Sequence, residues 1–483
     1  MPETVGNFVS GEWTDSETGE TFAVENPADP DDVVARFQQS NAADTERAIE
    51  AAAEATDEWA ATPAPERGRI LNTAAQQLES KKDELTETLV REEGKARPEA
   101  SGEVQRAIDI FYYYAEKARD LGGDVKASSG SGTTLYTVGE PLGVAGLITP
   151  WNYPIAIPAW KLAPALVTGN TVVLKPASLA PTVAKELVEA LDDAGLPDGV
   201  LNFVTGPGSE VGTAICTHEA VDAVSFTGSG QVGDVVYEQA AEDQKRVQLE
   251  MGGKNPTVVS ESADVEEAAE IVGSGAFDVT GQACTATSRA IVHESVYDEF
   301  VDELVAYAEA LSIGPGLEDN DMGPQVSASE LDDTMTYIDV GKDEGASLET
   351  GGDALESGEY EDGYFVEPTV FSDVSSEMRI AQEEIFGPVV AVIPVSDFEE
   401  SVAVANDTQY GLSASIVTQD LTEANRFVDE VEAGVVKVNE KTTGLELNVP
   451  FGGMKASSSE TYREQGDAGL DFYTTTKTVY YNY

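Results

Sequence analysis

Apolar residues in the first part of the chain recur every three or four positions. Leu71, Ala74, Ala75, Leu78, Leu85 and Leu89 share one helical face, and Gly94 supplies a stop. A further helix is expected over residues 100–121, ended by Gly122-Gly123, so the first third reads as helical. A Ser/Gly/Thr stretch at 128–134 then leads into residues 134–138, which have strand composition, and a hairpin-like excursion is expected there. From Leu142 the pattern changes. β-Branched runs at 144–149, 171–175, 200–204, 223–227 and 246–250 alternate with amphipathic segments such as 182–194. Such alternation predicts a parallel, doubly wound α/β sheet. A second series begins near Pro256, with strands expected at 257–260, 290–293, 389–395, 414–418 and 435–439. Two α/β domains thus follow one another. Residues 472–483 read as a strand remote from both series, suited to pairing with the early hairpin or with another subunit. No internal repeat of 20–50 residues is visible.

The 483 residues suffice for several domains, and a 41% apolar content is that of a globular chain. Charge changes the picture. There are 89 Asp and Glu against 28 Lys and Arg, a formal net charge of −61. Such a surface repels nucleic acid and anionic lipid, so neither is expected as a partner. The acids are spread along the whole chain between apolar segments, unlike an acidic tail. This fits a folded protein of a halophile's cytosol, where screening falls to ~3 Å in molar salt. Two cysteines, Cys216 and Cys284, make no disulfide framework and point to a reducing compartment. Residues 1–13 show no signal-peptide pattern, and the location expected is cytoplasmic. The most apolar stretch, 143–160, is broken by Pro150, Pro154 and Pro158 and contains Asn152, so it is no membrane span.

Three local features could carry chemistry. Gly228, Gly230 and Gly233 form G-x-G-x-x-G between a strand and a helix, where backbone N–H groups favour a phosphate. Alone, the same pattern fits any tight strand-to-helix turn. Taken as a dinucleotide fingerprint, it would make Glu250 the ribose ligand. Cys284 follows Gly281-Gln282-Ala283 amid small and polar residues, where a thiol needs a partner to become a thiolate. A buried, inert cysteine is the structural alternative. Asn152, in Thr149-Pro150-Trp151-Asn152-Tyr153-Pro154, is held between prolines and could donate to an oxyanion, or could merely order the bend. Cys216 and His218 are too few for a zinc site, so no metal is expected; His293 and Tyr112-Tyr113-Tyr114 read as structural.

Taken together, these stretches resemble the aldehyde dehydrogenase superfamily over nearly the full length. The others that match are Trp160-Lys161-x-Ala163-Pro164-Ala165-Leu166, Val173-Leu174-Lys175-Pro176, Phe226-Thr227-Gly228-Ser229, Leu249-Glu250-Met251-Gly252-Gly253-Lys254, Glu383-Glu384-Ile385-Phe386-Gly387-Pro388 and Pro450-Phe451-Gly452-Gly453. The resemblance implies a fold of two doubly wound α/β domains with a small β oligomerisation element. Residues 1–121 and 140–249 would form the NAD(P)-binding domain, 250–453 the catalytic domain, and 122–139 with 467–483 the oligomerisation element of a homodimer or homotetramer. It implies Cys284 as nucleophile, Asn152 and the Cys284 N–H as oxyanion donors, and Glu250 as the base that activates water, which displaces the ribose role. Lys161 would be the family's buried lysine near the cofactor, counted with the catalytic set. Cofactor contacts would come from Thr149, Trp151, Lys175, Ser178, Gly208, Gly228, Ser229, Val232, Met251, Glu384 and Phe386. NAD-preferring members often carry an acid where Ser178 stands. A serine there beside Lys175 would tolerate a 2′-phosphate, so NADP is expected, with NAD possible.

The run from Asn439 to Gly453 and on through Tyr473-Thr474-Thr475 is most like the 2,5-dioxopentanoate (α-ketoglutarate semialdehyde) dehydrogenases of sugar-acid and pentose degradation. Trp160 stands where succinate semialdehyde dehydrogenases usually have Arg. That enzyme, or a betaine- or glyceraldehyde-type one, is the nearest alternative substrate class. A CoA-acylating dehydrogenase would need no water-activating base, and a non-catalytic member would be expected to lose Cys284, Glu250 or Asn152. An anionic aldehyde should meet a cation, with Lys441 ahead of Lys437 and Arg106, although each could equally be a surface ion-pair partner.

Overall fold

The computed structural model describes residues 2–483. Five parallel strands, Arg246–Glu250, Val221–Thr227, Val144–Ile148, Thr171–Lys175 and Leu201–Phe203, lie side by side in that order. Two short antiparallel strands, Asn7–Val9 and Glu12–Thr14, extend the sheet beyond Leu201–Phe203. Alternate residues of one strand serve opposite faces. Ala145 and Leu147 join the core under the N-terminal helices, while Val144 and Ile148 join the core on the other face. Burial on both sides is why Val144–Ile148 and the middle of Thr171–Lys175 read as continuous apolar runs.

The second sheet has the order Ser347–Thr350, Thr369–Ser372, Val389–Val395, Thr287–His293, Asn255–Val259, Ser413–Val417, Val435–Val438, all parallel except the first pair. It too is covered on both faces. Val292 and Val392 face one cluster, and Ile291 and Ile393 face the others. The tail strand Thr474–Asn482 runs antiparallel along Thr133–Pro141, in a small sheet with Val125–Lys126.

The reading of the first third as helical needs correction. Helices span Ala42–Ala61, Ala64–Ser80, Lys82–Glu93 and Arg97–Lys117, but residues 4–38 carry strands, among them the antiparallel pair Thr21–Asn26 and Asp29–Gln38. Their alternation is diluted by Pro30 and by three aspartates in one strand, because one face meets water. Gly94 does end its helix, in the left-handed conformation at φ +97°. Strands Ser347–Thr350 and Thr369–Ser372 also escaped the sequence reading.

After the second sheet the chain returns to the first. Gln248 Nε2 donates to Arg463 O at 2.9 Å, Thr461 Oγ1 to Val247 O at 3.0 Å, and Met251 N to Ser457 O at 2.9 Å. This return segment clamps strand Arg246–Glu250 and thereby fixes where Glu250 sits.

Candidate active site

In the first sheet, strand order reverses between Val144–Ile148 and Val221–Thr227, the third of the five parallel strands in space being the first of them in sequence. Chain connections leave in opposite directions from such a pair, so a crevice opens at the carboxyl ends. Thr149 to Asn152 continue one strand into it, and Gly228 and Ser229 continue the other. A cleft of about 460 Å³ lies there, lined by Trp151, Asn152, Gly228, Ser229, Met251, Cys284, Glu384 and Phe386 among others. A second cavity, of about 400 Å³, is lined by Tyr153, Trp160, Phe451, Arg106, Lys441 and again Cys284. The thiol is therefore at the junction of two spaces. Cys216, by contrast, is fully buried in a core, and burial raises its thiol to about 12.

Cys284 follows a sharply bent segment. Val279 and Thr280 have φ near +55°, and Gly281 has φ +68°. Such backbone is uncommon outside glycine and must be held by its surroundings. Here Thr280 Oγ1 donates to Gly323 O at 3.0 Å, and Gln325 Nε2 donates to Thr280 O at 3.2 Å. Asn255 Nδ2 donates to the Cys284 carbonyl at 2.8 Å. The residue is partly open to the clefts, yet these lie inside the fold. Burial, with Glu384, Glu250 and Glu464 nearby, pushes the thiol well above the usual range. Its own backbone N–H works the other way.

The Asn152 side chain donates through Nδ2 to Gln282 O at 2.9 Å, and the Asn152 main-chain carbonyl accepts from Lys95 Nζ at 2.8 Å. A primary amide has two N–H donors. One orients the group, and the second is available to the cleft that Asn152 lines.

Glu250 is buried at the end of its strand and lines neither cavity. Its carboxylate accepts from Gly453 N and from Ser458 Oγ, both at a long 3.3 Å. Burial first, then the Glu464 charge, raises it well above the ordinary carboxylate range, with Lys161 and Arg463 opposing. A Cβ at Gly452 would fall 2.6 Å from Glu250 Oε1, so that position tolerates only glycine.

Lys161 was expected with the catalytic groups as a buried lysine, and it is buried. It lines neither cavity. Its ammonium is buried in an ion pair with Glu464 and donates to Ser225 Oγ at 2.7 Å. Ser225 faces across the sheet toward Gln248, to which it donates at 2.8 Å. This places Lys161 behind Glu250 as part of its electrostatic surroundings.

Seven of the residues expected around a dinucleotide line the Cys284 cleft or adjoin it. Trp151, Gly228, Ser229, Met251, Glu384 and Phe386 form its walls. Thr149 is buried beside it with a hydroxyl that has no partner. Trp151 and Phe386 meet edge to face at 5.4 Å, and Phe386 adopts φ +59° to do so. Glu384 Oε1 accepts from Gly253 N at 2.9 Å, and burial lifts its carboxyl to about 7. Lys175, Ser178, Gly208 and Val232 do not line this cleft. Lys175 lies at the carboxyl end of the adjacent strand, buried, its ammonium lowered to about 8 by burial and bonded only to Pro176 O at 3.1 Å. Ser178 donates at 3.5 Å to Gly206 O, Gly208 is exposed, and Val232 is half exposed on its helix.

A thiol, an amide donor and a buried carboxyl converging beside a nucleotide-type crevice are the equipment for oxidising an aldehyde through a thioester. The aldehyde dehydrogenase family model matches residues 13–479. The chain belongs to the aldehyde dehydrogenase family. It is 67% identical to the alpha-ketoglutarate semialdehyde dehydrogenase of Haloferax volcanii, over all of both chains. It is 45% identical to the 2,5-dioxopentanoate dehydrogenase of Saccharolobus solfataricus, over 96% of each. The solved betaine aldehyde dehydrogenase of Staphylococcus aureus in complex with NAD+ superposes with a TM-score of 0.96 at 34% identity, over 99% of this chain and 94% of that one.

This aldehyde dehydrogenase is an aldehyde-oxidising oxidoreductase that uses a nicotinamide cofactor. The residues present fit such a group. Buried Thr149 and Thr227 hydroxyls lack partners, and a Cβ at Gly252 would collide with the Glu384 carboxylate. Sequence reasoning missed the support of Asn152. Lys95, paired with Glu103 at 2.6 Å, holds the Asn152 carbonyl, and Glu103 Oε1 accepts from Ile155 N at 3.0 Å. Lys95 directly follows a helix-ending glycine and reads as a surface cation; nothing in its spacing marks it as buried. No helix among the described residues is long and apolar enough to cross a membrane.

Proposed function

We propose that this enzyme oxidises 2,5-dioxopentanoate to 2-oxoglutarate, with NADP as its preferred oxidant and a thioester on Cys284 as intermediate. One observation carries the reading: the nucleophilic sulfur stands where a cofactor-sized cleft and a separate substrate-sized cavity meet. An aldehyde entering from one side and a dinucleotide from the other would both reach that sulfur. The Cys284 thiol passes its proton to Glu250, which returns it to solvent, and sulfur attack on the carbonyl carbon gives a thiohemiacetal whose oxygen carries the developing charge. The free Asn152 N–H and the Cys284 backbone N–H stabilise it. The bound nicotinamide supplies the hydride acceptor that the oxidation requires. Glu250 then takes a proton from water as that water attacks the thioester carbon, releasing acid and thiol. Its two long hydrogen bonds to Gly453 and Ser458 are easily exchanged for the water, and burial raises its affinity for a proton. Glu250 also speaks against acyl transfer to CoA, which needs no activated water.

Lys175, with a serine rather than an acid three residues on, supports acceptance of a 2′-phosphate. The acidic composition supports a cytoplasm rich in salt. The exposed tail, with Tyr480 and Tyr481 mostly in solvent, supports a homo-oligomer joined through that strand.

The test is an aldehyde panel in molar salt, read by absorbance of reduced cofactor, with each cofactor and with and without CoA. The panel holds 2,5-dioxopentanoate, succinate semialdehyde, glyceraldehyde and betaine aldehyde. The highest kcat/KM is expected for 2,5-dioxopentanoate with NADP, and none is expected from Cys284→Ser. A higher value with NAD, or for another aldehyde, overturns that part of the proposal.

A further inference from the structure

The cavity on the substrate side is a hostile place for an anion. Glu99, Glu103 and Asp278 contribute acids to its wall, and Lys95, Arg106 and Lys441 contribute bases. Two of the three bases are already neutralised. Lys95 lies 2.6 Å from Glu103 and 3.7 Å from Glu93, and Lys441 is paired with Asp278. A carboxylate approaching Lys441 would meet Asp278 at the same point.

Arg106 differs. Among the described residues it has no carboxylate partner at ion-pair distance, and Glu446 and Asp109 act on it only from further away. Its one hydrogen bond runs from Nη2 to Gln465 Oε1 at 2.7 Å. A guanidinium has five N–H donors in a planar fork, so most of the fork is unused. In a chain with 89 acids and 28 bases, a partly buried cation without an acid needs an explanation. Gln465 provides one. It supplies the acceptor geometry of a glutamate without the charge, and so orients the guanidinium while leaving it uncompensated. Gln465 is itself buried at 1% exposure, its amide nitrogen has no partner, and its backbone sits at φ +62°. This is a costly arrangement for a residue with only a packing role.

We propose that Arg106 takes the carboxylate of the substrate, with Gln465 as its positioning residue, and that this pair makes the site selective for aldehydes bearing a carboxylate a few carbons from the carbonyl. The inference rests on the reading of Cys284 as the point of attack. Arg106 and Cys284 line one cavity, and four carbon–carbon bonds of about 1.5 Å separate the two ends of 2,5-dioxopentanoate. Guanidinium binds carboxylate through two parallel hydrogen bonds, which a lysine cannot reproduce. The order of candidates expected from sequence, Lys441 before Arg106, is thereby reversed.

The experiment compares 2,5-dioxopentanoate with pentanal, of equal carbon number and no charge, in molar salt. Wild type, Arg106→Met, Arg106→Lys and Gln465→Glu are measured. Arg106→Met is expected to raise KM for the anionic aldehyde about a hundredfold, the scale of a lost charge-assisted pair, with kcat little changed. KM for pentanal is expected to hold or fall, and that turnover also reports that the variant has folded. Arg106→Lys should recover part of the loss. Gln465→Glu should mimic Arg106→Met by giving the guanidinium a carboxylate of its own. Equal losses on both aldehydes, or an anionic preference that survives Arg106→Met, overturns the assignment. So does a preference that disappears in Lys441→Met but not in Arg106→Met. A wild type that does not prefer the anion to pentanal sinks the substrate reading instead, and that arm separates the two.

Discussion

Lys175 makes the cofactor proposal quantitative. Its ammonium is buried at the end of a strand, with one carbonyl as partner and no acid, and burial lowers it to about 8. The free protein then binds fewer protons than the unfolded chain between about pH 8 and 10.5, so it loses stability as pH falls through that window, by on the order of 3 kcal/mol in all. A phosphate beside the ammonium reverses the balance, because the charged form gains a partner. Near pH 7 about nine-tenths of Lys175 is already charged, and near pH 9 only about one-tenth. The 2′-phosphate, with a second pKa near 6, is doubly charged at both. NADP affinity is therefore expected to fall about tenfold from pH 7 to pH 9, with proton uptake approaching one per site at the higher pH. NAD presents hydroxyls, which an uncharged amine can still bond, so its affinity should change much less. Calorimetric titration in two buffers of different ionisation enthalpy, at constant salt, measures both quantities. Lys175→Met should bind NADP weakly and independently of pH. An NADP dissociation constant equal at pH 7 and 9, with no proton taken up, would refute the reasoning.

Glu250→Gln keeps the shape and hydrogen bonds of the carboxyl but cannot accept a proton. It should form thioester in a burst of reduced cofactor and then stall, with the steady rate down about 10²–10⁴-fold in stopped-flow absorbance. Asn152→Ala removes an oxyanion donor and should lower kcat by about 10²–10³, with KM little affected, in steady-state assays. With a net charge of −61, dialysis into dilute buffer, where screening extends to ~30 Å, should unfold and inactivate the enzyme, as followed by circular dichroism and turnover. Full activity retained there would count against the halophilic reading.

The α/β class was legible because strands buried on both faces are apolar at successive positions, and runs such as Val144–Ile148 announce themselves. Cys284, Asn152 and Glu250 were legible as residues because each lies in a short motif whose chemistry is local. Their convergence was not. Three segments some 30 to 130 positions apart meet only because strand order reverses in the first sheet and the chain returns from the second to clamp strand Arg246–Glu250. The strands over residues 4–38 were hidden because an edge strand facing water carries too few apolar positions to alternate visibly. Lys161 shows the limit from the other side. Its presence in a motif was plain, but whether it faced the cofactor or Glu464 depended on which side of a helix packs on the sheet. Arg106 shows the same limit. Sequence lists every charge, but only packing decides which cations find a carboxylate, since an ion pair forms wherever the fold brings opposite charges within a few ångströms, whatever their separation along the chain.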